Sequence, residues 1–323
     1  MSDLHWKALG ALCVAGWAAA GAVPAGAQDY PSKTVSIIVP APAGGGIDFI
    51  ARLYASELNK RWKQPVIVDN RPGAAGFVGA EATARAPADG YALLMTTDSA
   101  VTQSLFRKVQ FDGMRDLVPV AMTMVSPQVC FTNTETGFRT WQDLVGYAKA
   151  NPGKLNYVDY PATSVHLNMR RLQKLSGITM TPVPFNGEAP GIQATLGNST
   201  QLFCTVLGRV NELVKAGKVT ALGVTSRETV AALPAVPTFR SMGMDFEWLL
   251  WFGLMAPSGI PREVLAKLQA DVAEIQKMPE VLGKVSAIGL LPETRSPAVS
   301  AAEMTATGRQ FKDMAKEFGI QPE

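Results

Sequence analysis

Four stretches of this chain put glycines, hydroxyls and amides where a strand-like run gives way to a helix-like one. The first is "PAPAGGGID", in which Ala41, Ala43, Gly44, Gly45, Gly46 and Asp48 follow "TVSIIVP" and open "DFIARLYASELNKRW". Glycines let backbone N–H groups turn toward a ligand at a helix start, where the helix dipole favours an anion. Asp48 is placed to be the N-cap, and its charge would repel an anion sitting directly on the helix end. The anion is therefore expected slightly upstream, on the N–H groups of Ala43 to Gly46. The second stretch, "TTDSA", offers the hydroxyls of Thr97 and Ser99. The third, "VDYPATSVH", carries Asp159, Tyr160, Thr163, Ser164 and His166, and the fourth, "PFNGEAP", carries Asn186. Each alone could be a tight turn; four together point to anion binding by backbone donors and hydroxyls.

Catalytic and metal motifs do not accompany these loops. The glycines of "APAGGGID" and "GAAGFVG" lack the GxGxxG spacing, and no GK[ST] or GxSxG occurs. There is no CxxC or HExxH, so neither a metal nor a cofactor is expected. Beyond His5, His166 is the only histidine. A hydrolase would have to recruit it with Ser164 or Ser99. Without a nucleophile motif, His166 is better read as orienting its loop or touching a ligand. Arg71 in "NRPGAAG" is read as part of a structural ion pair beside a packed turn.

The chain must be large enough to position four such loops. Its 323 residues suit one large or two medium domains, and 47% hydrophobic with 18% charged residues marks an ordinary globular protein. The net charge of +3, without a Lys/Arg run, argues against nucleic-acid binding. Residues 1–27 read as a secretory signal: Lys7, an apolar stretch, then "AGA" before Gln28. A membrane anchor is the competing reading, disfavoured because the stretch is short and Ala/Gly-rich. The mature protein is expected in the periplasm. Cys130 and Cys204 then remain, and pairing or separate burial are equally open.

Periodicity gives β-α-β-α-β up to "YALLMTT", which calls for a parallel sheet. "LVPVAMTMVSPQVCFTN" reads as two strand-like pieces without a helix between them, as at a crossing between lobes. A second α/β set follows, opened by Thr140 and Asp143 as a capping box. "WLLWFGLMAP" returns, with Trp248 and Trp251 packing the core or hinge and Trp251 a candidate to line the cleft, and helices close the chain. The expected fold is two α/β lobes around a cleft: 28–127 plus 251–323 as lobe 1, and 128–250 as lobe 2.

The stretches "YPSKTVSIIVPAPAGGGIDFIAR", "NRPGAAG", "PADGYALL", "NPGKLNYV" and "WFGLMAPSGIP" resemble the Bug family, periplasmic receptors of tripartite tricarboxylate transporters. The resemblance runs through nearly the whole mature chain. It implies a type II periplasmic binding protein, and the protein is expected to be a monomer and not an enzyme. It also implies a small carboxylate held by backbone N–H groups and hydroxyls and passed to membrane transporter subunits. By position, Ala41 to Asp48, Thr97, Ser99 and the "DYPATSVH" loop become the pocket. The chain departs from the family pattern at Ala41, where an aromatic is usual, and at Asp159 and Tyr160, where residues are usually small. It departs again at Gln201, where an acid is common. These changes suggest a bulkier ligand than a small citrate-like acid: an aromatic acid or a larger mono- or dicarboxylate. An exported hydrolase or a carboxylate sensor are the alternatives.

Overall fold

A computed structural model describes residues 30–322, apart from Val109, Asn186 and Thr294. The expected signal segment 1–27 and the candidate Asn186 therefore lie outside the described residues.

Strand β1 (Val35–Val39) is almost wholly buried, as an inner strand of a parallel sheet covered on both faces should be. Helix α1 (Gly46–Trp62) buries Ile50, Leu53, Tyr54 and Leu58 along one stripe against it. Strand β2 (Val66–Asn70), helix α2 (Phe77–Ala84), strand β3 (Ala92–Thr97), helix α3 (Ser99–Phe106) and the single turn α4 (Gly113–Asp116) follow. β1 pairs in parallel with both β2 and β3.

Strand β4 (Leu117–Asn133) then leaves this lobe for the other. The expected two pieces are one continuous strand of 17 residues, interrupted only by register shifts. One shift lies between Pro119 and Ala121, where proline has no N–H to give the ladder. The second lobe holds α5 (Trp141–Ala150), β5 (Asn156–Asp159), α6 (Ser164–Ser176), β6 (Thr181–Pro184), α7 (Glu188–Leu196), β7 (Phe203–Val206), α8 (Leu207–Lys215) and β8 (Val219–Val224). The chain returns through β9 (Leu249–Pro257) and ends in α9 (Arg262–Gln276), α10 (Pro279–Ala287), the two-residue β10 (Leu291–Pro292) and α11 (Pro297–Glu317).

β4 belongs to both sheets. Up to Pro127 it runs antiparallel to β9, in a sheet ordered β2-β1-β3-β9-β4-β10. From Gln128 onward it pairs with β7 and β8. Two apolar clusters fill the first lobe around Ile37, Leu93 and Leu254 and around Leu94, Met255 and Met304. Two others fill the second, around Trp141, Tyr157 and Phe239 and around Phe131, Phe203 and Val224. Cys130 and Cys204 are register partners on β4 and β7 and form a disulfide, which decides the question left open by the sequence. At a sequence separation of 74, chain-entropy reasoning assigns this link roughly 4 kcal/mol.

The lobes also meet beside the hinge. Leu167 of α6 packs into a first-lobe cluster, Arg170 lies over Phe318, Lys174 pairs with Glu317, and Phe106 of α3 meets His166 edge-on.

Candidate functional site

The glycine loop is built differently from the sequence expectation. The N-cap of α1 is Gly45, in extended conformation (φ −80°, ψ 171°) with no side-chain cap. Asp48 is the third residue of the helix and is buried. Its carboxylate accepts from the N–H of Gly44 (2.9 Å), from Arg52 Nε (2.9 Å) and from Asn70 Nδ2 (2.9 Å). The Arg52 guanidinium, helped by the Gly44 and Asn70 donors, holds the Asp48 carboxyl down at about 2 despite burial. Asn70 also donates to the Ala41 carbonyl (3.1 Å). Asp48 and Asn70 thus brace the loop from behind, and Gly44, at φ +85°, takes a turn that a side chain would strain.

Two consequences correct the sequence reading. The Gly44 N–H is already engaged, so it is not a free donor. The N–H groups of Gly46, Ile47 and Asp48 form the first helical turn, which has no intrahelical acceptor, and Gly45 offers no side chain to cap them. Uncapped donors therefore sit on the helix end itself, Gly46 among them, and of the expected Ala43–Gly46 set Gly44 is taken. Arg52 offsets the charge of Asp48 that argued against that position.

This turn opens on a cavity of about 570 Å³ between the lobes, within the size range of small-ligand sites. Gly44, Gly45, Gly46, Ile47, Phe49 and Thr97 line it from the first lobe. Glu188, Val206, Gly208 and Arg209 line it from the second. Leu250 and Phe252 of β9 form one wall, and Ile288 and Leu290 another. Glu188 is pinned: its Oε1 accepts from Thr205 Oγ1 (2.9 Å) and its Oε2 from Arg209 Nε (3.1 Å). Next to Arg209, the backbones of Gly208 and Gly289 touch across the lobes. A Cβ on Gly208 would stand 2.4 Å from the Ile288 carbonyl oxygen, and one on Gly289 2.5 Å from Gly208 Cα.

The remaining expected residues lie outside the lining of this cavity. Ala41 packs against the first-lobe core, and Ala43 is exposed. Ser99 Oγ accepts from Thr97 Oγ1 (3.1 Å). Asp159 Oδ2 bonds His166 Nδ1 (2.8 Å), and its other oxygen is buried with no partner among the described residues. Tyr160 packs edge-on against Phe203, inside the second-lobe core. Among the described residues its hydroxyl has no partner, and burial raises its pKa. Thr163 is the N-cap of α6, but its hydroxyl donates to the Tyr160 carbonyl (2.7 Å). Ser164 is buried near Asp98 across the lobe boundary, and burial pushes the Asp98 carboxyl up to about 7. The 159–166 loop therefore forms a lobe-to-lobe contact beside the cavity. Gln201 is likewise structural, accepting from Asn156 N (2.9 Å) and donating to the Asn198 carbonyl (2.8 Å).

No triad assembles. His166 holds Asp159, Ser164 faces Asp98, and Ser99 is bonded to Thr97. Among the described residues, no group of three or more His, Cys, Asp or Glu could hold a metal ion.

Phe49 stands at helical spacing with Ile50, Leu53 and Leu58, yet it is 40% exposed and lines the cavity. Leu250 and Phe252 were legible only as strand residues. Alternation along β9 puts them on one face and Leu249 and Trp251 on the other. That other face borders a recess of about 790 Å³, also between the lobes. Two of its arginines are taken by neighbours, Arg227 by Glu247 and Arg295 by Glu293 and Glu303. It lacks every loop that the sequence singled out.

Two lobes, a shared hinge strand and an uncapped helix start on an interlobe cavity define a solute-binding protein. The family model "Tripartite tricarboxylate transporter family receptor" matches residues 50–301, and the chain belongs to that family. BugT of Bordetella pertussis is 32% identical over 305 residues, spanning 93% of this chain and 94% of BugT. An R. palustris protein solved with adipate superposes with a TM-score of 0.78 at 28% identity, covering 91% of this chain and all of that one (100%). MatC from Rhodopseudomonas palustris, solved with bound malate, gives 0.74 at 28% identity, covering 88% and 100%. The protein is thus a solute receptor and not an enzyme. No described helix is long and apolar enough to cross a membrane.

Proposed function

We propose that this protein is a periplasmic receptor that captures a small organic carboxylate between its lobes and presents it to a tripartite tricarboxylate-type transporter. One observation carries the reading: the uncapped first turn of α1 opens on an interlobe cavity with mostly apolar walls. Three converging N–H groups and a helix dipole suit a carboxylate, and Thr97 stands beside them with a hydroxyl. The walls of Leu250, Phe252, Ile288 and Leu290 suit a ligand body with apolar surface, whether the ring of an aromatic acid or the chain of a dicarboxylate.

Residues 1–27 direct export and are removed. Residues 28–127 with 251–323 form one moving body and 128–250 the other, hinged where β4 and β9 pass between lobes. The receptor works as a monomer without cofactor. The 159–166 loop, with Tyr160 and His166, tunes the lobe boundary rather than cradling the carboxylate. Adipate and malate on relatives at 28% identity support the ligand class.

A thermal-shift series over carboxylates tests the proposal, because a ligand that binds only the folded state raises the melting temperature with its concentration. Stabilisation by at least one acid, abolished when its carboxylate is replaced by an amide, is the expected result. A panel of acids that leaves the melting temperature unchanged contradicts the reading.

A further inference from the structure

We infer that Arg209 anchors a second carboxylate, so that the cleft selects linear α,ω-dicarboxylates over monocarboxylates of the same length. The inference rests on the carboxylate reading above and names the group that recognises the far end of the ligand.

Among the described residues, Arg209 is the only cation lining the cavity, and it comes from the lobe opposite the α1 helix end. Among the described residues, the acids and bases lining the cavity are Arg209 and Glu188. Arg209 reaches Glu188 through Nε only (3.1 Å), and among the described residues it has no other partner. A guanidinium carries five N–H donors in a planar fork, so the two terminal nitrogens keep four. That edge is the one that meets a carboxylate in bidentate fashion. Glu188 cannot swing away to release more of the fork, because Thr205 holds its other oxygen.

The position is fixed as well as the charge. Gly208, the preceding residue, presses its backbone on Gly289 of the other lobe, closer than any side chain would allow. The first turn of α8 is thereby seated at the mouth of the cavity, and Arg209 with it. Between the two anion sites run Leu250, Phe252, Ile288 and Leu290, which can contact methylenes but offer a polar middle nothing. One backbone-built anion site, an apolar wall and one arginine match an acid with a carboxylate at each end and an apolar spacer.

Glu188 sets the discrimination. It leaves the second-lobe site neutral when empty, so a single anion gains little by reaching it. A carboxylate must compete with Glu188 for the same guanidinium, which only a ligand already fixed at its other end does efficiently.

Calorimetry on the purified mature protein tests this with succinate, adipate and suberate against butyrate, hexanoate and octanoate. At least one diacid should bind more tightly than its monoacid. Arg209→Gln should cut the affinity of that diacid by about tenfold, the effect of one partly exposed charge-assisted contact, and leave its monoacid unchanged. Glu188→Gln should strengthen the diacid alone. The diacid advantage should shrink at high salt. Equal affinity for diacids and monoacids, or an Arg209→Gln variant that weakens both alike, overturns the inference and leaves the carboxylate reading standing. Wild-type protein that binds none of these or other carboxylates overturns both. The melting temperature of each ligand-free variant separates a lost contact from a damaged fold.

Discussion

Helices α1 and α5 both carry aspartate at their third position, Asp48 and Asp143, yet one start is open and the other closed. In α5 the N-cap is Thr140. Its hydroxyl accepts from Asp143 N (3.2 Å), and the Asp143 carboxylate accepts from Thr140 N (2.9 Å). The backbone donors of Arg139 and Thr140 hold the Asp143 carboxyl below its usual range. In α1 the N-cap is Gly45, which has nothing to offer the helix, and Asp48 reaches past it to Gly44. The same acidic residue thus completes a cap in one place and braces a loop in the other. The difference is one side chain at the N-cap. Removing it costs helix stability and leaves donors available for a ligand.

The largest test gives α1 the cap it lacks. Gly45 has a φ of −80°, and a Cβ there would meet only the Pro42 carbonyl oxygen at 3.6 Å, so a side chain fits. Gly45→Asp should lower carboxylate affinity by about a hundredfold, since an internal anion then competes for the first-turn donors. Stability should change by only roughly a few tenths of a kcal/mol. An unchanged affinity in titration calorimetry would detach α1 from the binding site.

A second test leaves both helix starts intact and alters the lobe contact opposite α1. Gly208→Ala forces the Ile288–Gly289 turn and α8 apart, so carboxylate binding should weaken by roughly tenfold, reflecting the strain of overpacking in the closed form. Small-angle scattering with saturating ligand should show a more open molecule than wild type. If the scattering matches wild type, the glycine contact is not a closure seal.

Asp98 gives a test by pH at the remaining lobe contact. Its folded-state carboxyl titrates near 7 because burial disfavours the charge, whereas an unfolded aspartate titrates near 4. Between those values the folded state binds more protons, so this residue makes stability fall as pH rises from about 4 to about 7. Asp98→Asn should therefore be more stable than wild type at pH 8 and close to it at pH 4, by chemical denaturation. A variant less stable than wild type at pH 8 would mean that the ionised carboxylate is stabilised in the fold after all.

The smallest effect is on the closed helix. Thr140→Ala removes one cap and should cost about 1 kcal/mol, with ligand affinity unchanged. A change in affinity would show that stability anywhere, rather than the open start of α1, governs binding.

Much of this architecture could be read from residue order, and the reasons are local. Strands such as "VSIIV" and helices such as α5 are specified by short-range pattern and capping chemistry. The bridging run 117–133 was recognisable as a crossing because it lacked a helix, but its two prolines masked its continuity. The loop "PAPAGGGID" could be singled out only together with the other three, since a run of glycines before a helix is also an ordinary tight turn. Which donor was already used depended on Arg52 and Asn70, and Asn70 belongs to another element. Arg209 and Phe252 carried no local signal: one opens an ordinary amphipathic helix, the other alternates along a strand. Only packing shows that both face the glycine loop. Tyr160 misled in the opposite sense, because a polar aromatic in a candidate loop packs into the core when Phe203 lies below it.

The central claim is that the first turn of α1 holds the ligand's carboxylate. A crystal structure with the acid that most raises the melting temperature tests it directly. The account predicts carboxylate oxygens at hydrogen-bonding distance, about 2.7–3.2 Å, from the backbone nitrogens of Gly46 and Ile47. Density for the acid in the recess beside Trp251, or a carboxylate turned away from α1, would contradict it.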